Sequence, residues 1–197
     1  MTVTYTNRKG VTYTLCRTTT KAGKRRYAFV RDPTGREVVE KIPEGWEIRE
    51  SVNGIVSLAQ TREQHLLPDE IKAVEAALGA HPQARNYRLS VKPDRLVIYE
   101  REGPDADALF EAVQAYGGVE VSSDLRQRLR DEAENFGRFT PILCFILDDV
   151  ETRDFHAERW CYLGDIDDWI FVDSGKLTEM AQRLVPKLGT EAFFEPY

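Results

Sequence analysis

Polar and apolar positions alternate over the first sixty residues, with turn-forming residues between the runs. Val11, Tyr13 and Leu15 alternate with Thr12, Thr14 and Cys16, the period of a half-buried strand. Thr-, Val- and Tyr-rich composition favours the same state. Gly10 and Gly23 follow polar tetrads, and Asp32-Pro-Thr-Gly35 carries Pro and Gly where a type I turn takes them. Asn53-Gly54 is the signature of a two-residue type I′ hairpin. The pattern predicts strands near 2–6, 11–20, 25–31, 36–42, 46–52 and 55–60. Six strands without a helix form an antiparallel meander, as a small barrel or a curled sheet that limits exposed edges.

Beyond residue 60 the period changes. Ile71, Val74 and Leu78 form a helical stripe behind Leu66-Leu67-Pro68-Asp69, with Asp69 as the predicted cap and Gly79 and Pro82 as the stop. Residues 87–100 read as a hairpin turning at Pro93-Asp94. A helix over 105–116 buries Leu109, Phe110 and Val113, and one over 123–136 buries Leu125, Leu129 and Phe136 behind a Ser cap. Ile142–Leu147 is an apolar strand, and Arg153–Leu163 is its predicted antiparallel partner. A last helix over 176–188 buries Leu177, Met180, Leu184 and Leu188, and Pro186 kinks or ends it. The expected fold is α+β: an all-β module over 1–62, then a lobe over 63–197 with one antiparallel sheet and helices on one face.

Composition sharpens this only in part. Hydrophobic residues make up 42% of the chain and charged residues 30%, which argues for a globular protein rather than a disordered one. The N-terminus lacks the apolar segment of a secretory signal, and no apolar run approaches the roughly 20 residues of a membrane span. The three cysteines, Cys16, Cys144 and Cys161, are too few and too scattered for a disulfide framework or a four-cysteine zinc site, and read as reduced core thiols. The cytoplasm is the expected location by elimination. The net charge of −6 is unevenly distributed: residues 1–31 carry eight Lys/Arg and no acid, and the remainder 19 Lys/Arg against 33 Asp/Glu. Parts of opposite sign bind each other, bind another subunit, or offer a basic face to an anion.

Most motifs with chemical meaning fail on their own terms. Gly175-Lys176 lacks the upstream Gly and the following Ser/Thr of a phosphate loop, where the chain has Ile170 and Leu177. Asp165-Ile-Asp167-Asp168 lacks the Gly and the bidentate Glu of a calcium loop, and reads as a solvated acidic loop. Period two places Asp154, His156, Glu158, Trp160 and Tyr162 on one side of a strand, about 6.5–7 Å apart, with Phe155, Ala157, Cys161 and Leu163 toward the core. His-x-Glu is half of a two-histidine, one-carboxylate metal site. The other histidines are His65, in the inter-domain stretch, and His81, past a helix C-terminus where a cation suits the dipole. Asp148-Asp149 ends a strand, as metal-binding carboxylates and ordinary turn residues both do. In the N-terminal module, Arg8, Lys9, Lys21, Lys24, Arg25 and Arg26 interleave with Tyr5, Tyr13, Tyr27 and Phe29, as on β-barrels that bind single strands. The meander spreads those cations over about 30 Å.

No signature assigns an activity. The expected class is a non-enzymatic intracellular binding or adaptor protein, without a cofactor. It acts by contact with another protein or with itself through Trp160, Tyr162 and Trp169. The enzyme alternative is a metal-dependent hydrolase using Asp148, Asp149, Asp154, His156 and Glu158. The third reading is weak nucleic-acid binding through the basic N-terminal strands.

Overall fold

The computed structural model describes residues 2–19, 23–103, 106–117, 122–162 and 167–195, with some side chains inside the second and third helices and Tyr162 outside the described set. It is an α+β protein whose chain divides into two compact units, Met1–Arg62 and Glu63–Tyr197.

In the N-terminal unit, β1 (Thr4–Thr6), β2 (Thr12–Thr19) and β3 (Arg25–Val30) run in order as antiparallel neighbours. β4 (Glu37–Val38) is only two residues long and returns to β2, pairing at Cys16 and Arg17 on the edge that β1 also uses. β5 (Trp46–Glu50) and β6 (Val56–Gln60) make a separate hairpin. Among the described residues the sheet is curled and does not close into a barrel. Leu15 and Cys16 of β2 are both fully buried.

One buried asparagine ties the two hairpins together. Asn7 Oδ1 accepts from the Lys9 and Val11 amides at 3.0 and 2.9 Å, and its Nδ2 donates to Gly54 O at 2.7 Å. Glu50 adds a second tie, accepting from the Tyr5 hydroxyl and the Arg8 amide, each at 2.9 Å. The Asn53-Gly54 turn differs from the type I′ expectation. Gly54 has φ +77°, and Asn53 is not among the positive-φ residues. The Gly54 amide donates to Ser51 O at 2.8 Å and the Ser51 amide to Ile55 O at 2.9 Å. This is a three-residue loop closed by a glycine bulge. The longer loop prevails because it carries the Gly54 carbonyl to Asn7.

The C-terminal unit opens with α1 (Pro68–Gly79). Its cap is Leu67, not Asp69: Pro68 takes the first helical position, and the Leu67 amide donates to the Glu70 carboxylate at 2.8 Å. The sheet has the order β11-β10-β9-β8-β7 and is antiparallel throughout. Its strands are β7 (Tyr87–Val91), β8 (Arg95–Arg101), β9 (Phe139–Asp149), β10 (Asp154–Tyr162) and β11 (Asp167–Gly175). The helical hairpin of α2 (Ala106–Gly117) and α3 (Ser123–Phe136) lies between β8 and β9 in the chain. α4 (Leu177–Leu184) ends in a 3-10 turn at Pro186. One sheet face carries Leu96, Ile98, Leu143, Phe145, Phe155 and Ala157, which pack with Val74 and Leu78 of α1 and Met180 and Leu184 of α4 in one core. Of the stripe predicted for α3, Leu125 and Phe136 are 47% and 59% exposed, and the Leu129 side chain lies outside the described residues, as do those of Leu109 and Val113 in α2. No helix among the described residues is long and apolar enough to cross a membrane.

His81 is buried and belongs to this core's rim rather than to a helix-dipole contact. Its Nδ1 accepts the Gln83 amide at 3.0 Å, so the proton sits on Nε2, which donates to Leu188 O at 3.2 Å.

Gly54→Val is expected to destabilise the chain by about 1–3 kcal/mol, because a β-branched residue must adopt φ > 0 there. Asn7→Ala is expected to cost about 1–3 kcal/mol by orphaning buried donors and acceptors. Denaturant melts measure both, and an unchanged midpoint contradicts the structural role of the residue replaced. Residues 63–197 alone are expected to keep a cooperative melt. A non-cooperative melt shows that the two units share one folding transition.

Candidate functional site

β9, β10 and β11 turn a second face away from the core, and Asp148, His156, Glu158, Trp160 and Trp169 lie there. Directly paired residues share a face, so Glu158 lies beside Cys144 on one side and Phe171 on the other, and Trp160 lies beside Trp169. The half over β8 and β9 is closed, with Val97 and Cys144 buried. Burial pushes the Cys144 thiol up to about 12, against the pull of the Arg95 guanidinium. The half over β10 and β11 is open: Phe171 is 62% exposed, and the Trp160 and Trp169 rings meet edge to face at 5.3 Å.

His156 stands at the border between them. Its Nδ1 lies 2.6 Å from Asp148 Oδ1 and its Nε2 lies 3.6 Å from Glu158 Oε1. The ring stacks at 6.4 Å and 21° on Phe171. The two carboxylates therefore face opposite edges of the imidazole and do not converge on one point. Asp149 and Asp154 belong to the β9–β10 turn instead. Asp149 Oδ1 accepts from the Glu151 and Thr152 amides at 2.7 and 2.9 Å, and Asp154 pairs with Lys176 at 2.8 Å. Among the described residues, no three His, Cys, Asp or Glu side chains are close enough to hold a metal ion. Of the five residues in the hydrolase reading, the fold thus groups Asp148, His156 and Glu158 and assigns the other two elsewhere.

A bulge explains this division. The β9–β10 register shifts between Asp154 and Phe155, so Asp154 opposes Asp149 while Phe155 opposes Leu147. The extra residue is Asp148 on β9; β10 itself keeps its alternation from the start, with Asp154 exposed, Phe155 buried, His156 half-buried and Ala157 buried.

Periodicity does not single out β11 as a strand, nor Phe171 on it. The available signal is the run Trp169-Ile-Phe-Val172, four aromatic or β-branched residues between acids. As the end strand β11 has an outer edge, which it partly blunts itself: Asp168 accepts the Trp169 amide and Asp173 the Ser174 amide, each at 2.8 Å. The Tyr162 side chain, Lys21 and Asp165 fall outside the described residues. Among the basic residues, Arg8 and Lys9 lie before β2 and Lys24, Arg25 and Arg26 after it. These are opposite ends of a strand about 26 Å long.

Backbone donors from Thr152 and Glu151 hold the Asp149 carboxyl below its usual range, and Lys176 with Thr152 does the same for Asp154. A folded pKa below the unfolded one gives stability that is complete above the unfolded value, about 3.9. That stability disappears as pH falls through the folded value. Protection of the Glu151 and Thr152 amides, taken relative to the unstructured exchange rate at each pH, is therefore expected to be constant from neutral pH down to about 4 and to fall below it. Asp149→Ala is expected to lack this protection at every pH, and a wild-type-like profile in that variant contradicts the assignment. The Cys144 thiol is expected to resist alkylation in the native chain at pH 8 and to react on unfolding.

The chain matches no protein-family model, no curated protein and no solved structure.

Proposed function

We propose that this chain is a non-catalytic binding protein that holds a partner protein against the β10–β11 face of its C-terminal unit. The exposure of Phe171 in line with the Trp160–Trp169 pair carries the reading, because large aromatics on a rigid sheet anchor interfaces at low entropic cost. The flanking chemistry favours a cationic partner segment. Asp148 and Glu158 line the strip, and Asp167 and Asp168 lie exposed at the end of β11. A Lys or Arg side chain gains both from those carboxylates and from an aromatic face. The blunted outer edge of β11 favours docking on the face over strand addition.

The test is affinity capture with wild-type chain and with Phe171→Ser and Trp169→Ala. The expected result is a protein retained by wild type and lost from both variants, with melting temperatures near wild type. Retention indifferent to both substitutions refutes the face. A divalent-metal titration of the thermal melt addresses the hydrolase alternative. No shift is expected with zinc, manganese or magnesium, and stabilisation that vanishes in His156→Ala reassigns the cluster to metal binding.

A further inference from the structure

The N-terminal unit contains a groove of about 520 Å³ between the outer edges of β3 and β6. Its described lining includes Arg25, Arg26, Tyr27, Phe29, Trp46 and Leu58; the nearest carboxylate acting on it is Glu37, outside the lining, which forks with Arg17 and is only weakly felt by Arg25. Both arginines are exposed and the three aromatics are half-buried. The surrounding unit is basic: residues 1–62 carry twelve Lys/Arg against six Asp/Glu, whereas residues 63–197 carry fifteen against twenty-seven.

The geometry points to single-stranded nucleic acid as the ligand of this groove. Arg25 and Arg26 leave opposite faces of β3 and so flank its edge, where each guanidinium can fork onto the oxygens of a different phosphate. Tyr27, Phe29 and Trp46 supply flat faces beside them, and bases stack on such faces regardless of sequence. An acidic peptide added as a strand is the competing occupant, and spacing counts against it. Cα atoms of β3 and β6 approach within 8 Å although the strands do not pair. A third strand between them needs about 9.5 Å, twice the interstrand spacing. A duplex is disfavoured because its bases are stacked on each other, out of reach of the aromatics. The groove and the β10–β11 face lie on different units.

The experiment is fluorescence anisotropy of a labelled homopyrimidine 12-mer with the 197-residue chain. The expected dissociation constant at low salt lies in the range of about 1–100 μM, weakening steeply as salt rises. Arg25→Glu/Arg26→Glu is expected to weaken binding at least about tenfold and to flatten the salt slope by about 1.4, as loss of two phosphate contacts requires. Tyr27→Ala is expected to weaken binding with the slope unchanged, the mark of lost stacking. Circular dichroism melts establish that each variant is folded. Four outcomes each overturn the inference: flat anisotropy at low salt, wild-type affinity in the double-arginine variant, equal affinity for a duplex of the same length, or equal competition by oligoglutamate at matched charge.

Discussion

A half-buried ion pair fixes the geometry on which the C-terminal unit depends. Arg153 is the only described non-glycine residue with positive φ, at 56°, a conformation that a side chain with a Cβ adopts at a cost. Its guanidinium forks onto Glu70, whose carboxylate also accepts the amide that caps α1, and it reaches His65 O at 3.1 Å. The two side chains are only 21% and 14% exposed. Charge-assisted hydrogen bonds at that depth are stronger than on the open surface, and they offset the strained backbone. The result is a rigid turn between β9 and β10, docked on the first turn of α1.

That turn decides what the second sheet face displays. Docked in place, it leaves the β9–β10 bulge beside Asp154, and Phe155 and Ala157 enter the core. His156, Glu158 and Trp160 are then delivered to the opposite side by alternation alone. Asp149 and Asp154 are spent on the turn and its tether to Lys176. One loop geometry thus converts five chemically similar acidic and imidazole positions into two groups with different jobs.

Much of this is readable from periodicity. The stripes of α1 and α4, the hairpin at Pro93-Asp94 and the two sides of β10 all follow from spacings of 3.6 and 2. The misreadings share a cause: local chemistry overruled by a partner distant in sequence. Asn53-Gly54 has the composition of a two-residue turn, but Asn7, 47 positions from Gly54, claims the Gly54 carbonyl. Asp69 is a good cap by type, yet Glu70 is held where it serves the Leu67 amide because Arg153 binds its carboxylate. Leu125 and Phe136 keep helical spacing, but α3 packs against α2 and leaves them exposed. β11 does not alternate cleanly and is flanked by acids, so its strand state rests on pairing with β10 along its length.

The two candidate surfaces have the same apolar component and opposite charge, and this difference separates their ligands. Aromatic faces attract cations through their quadrupole and stack equally well on neutral planar rings. They therefore cannot choose between a lysine side chain and a base. The choice falls to the charges at their rim. Beside Trp160, Trp169 and Phe171 those are carboxylates of Asp148 and Glu158, which favour a cation. Beside Tyr27, Phe29 and Trp46 they are the guanidiniums of Arg25 and Arg26, with the nearby Glu37 carboxylate engaged by Arg17, and the balance favours an anion. At physiological ionic strength such fields decay over about 8 Å, so each surface is read by the groups within its own few residues rather than by the net charge of the chain. The acidic composition of the whole sequence is thus no guide to the ligand of the basic groove.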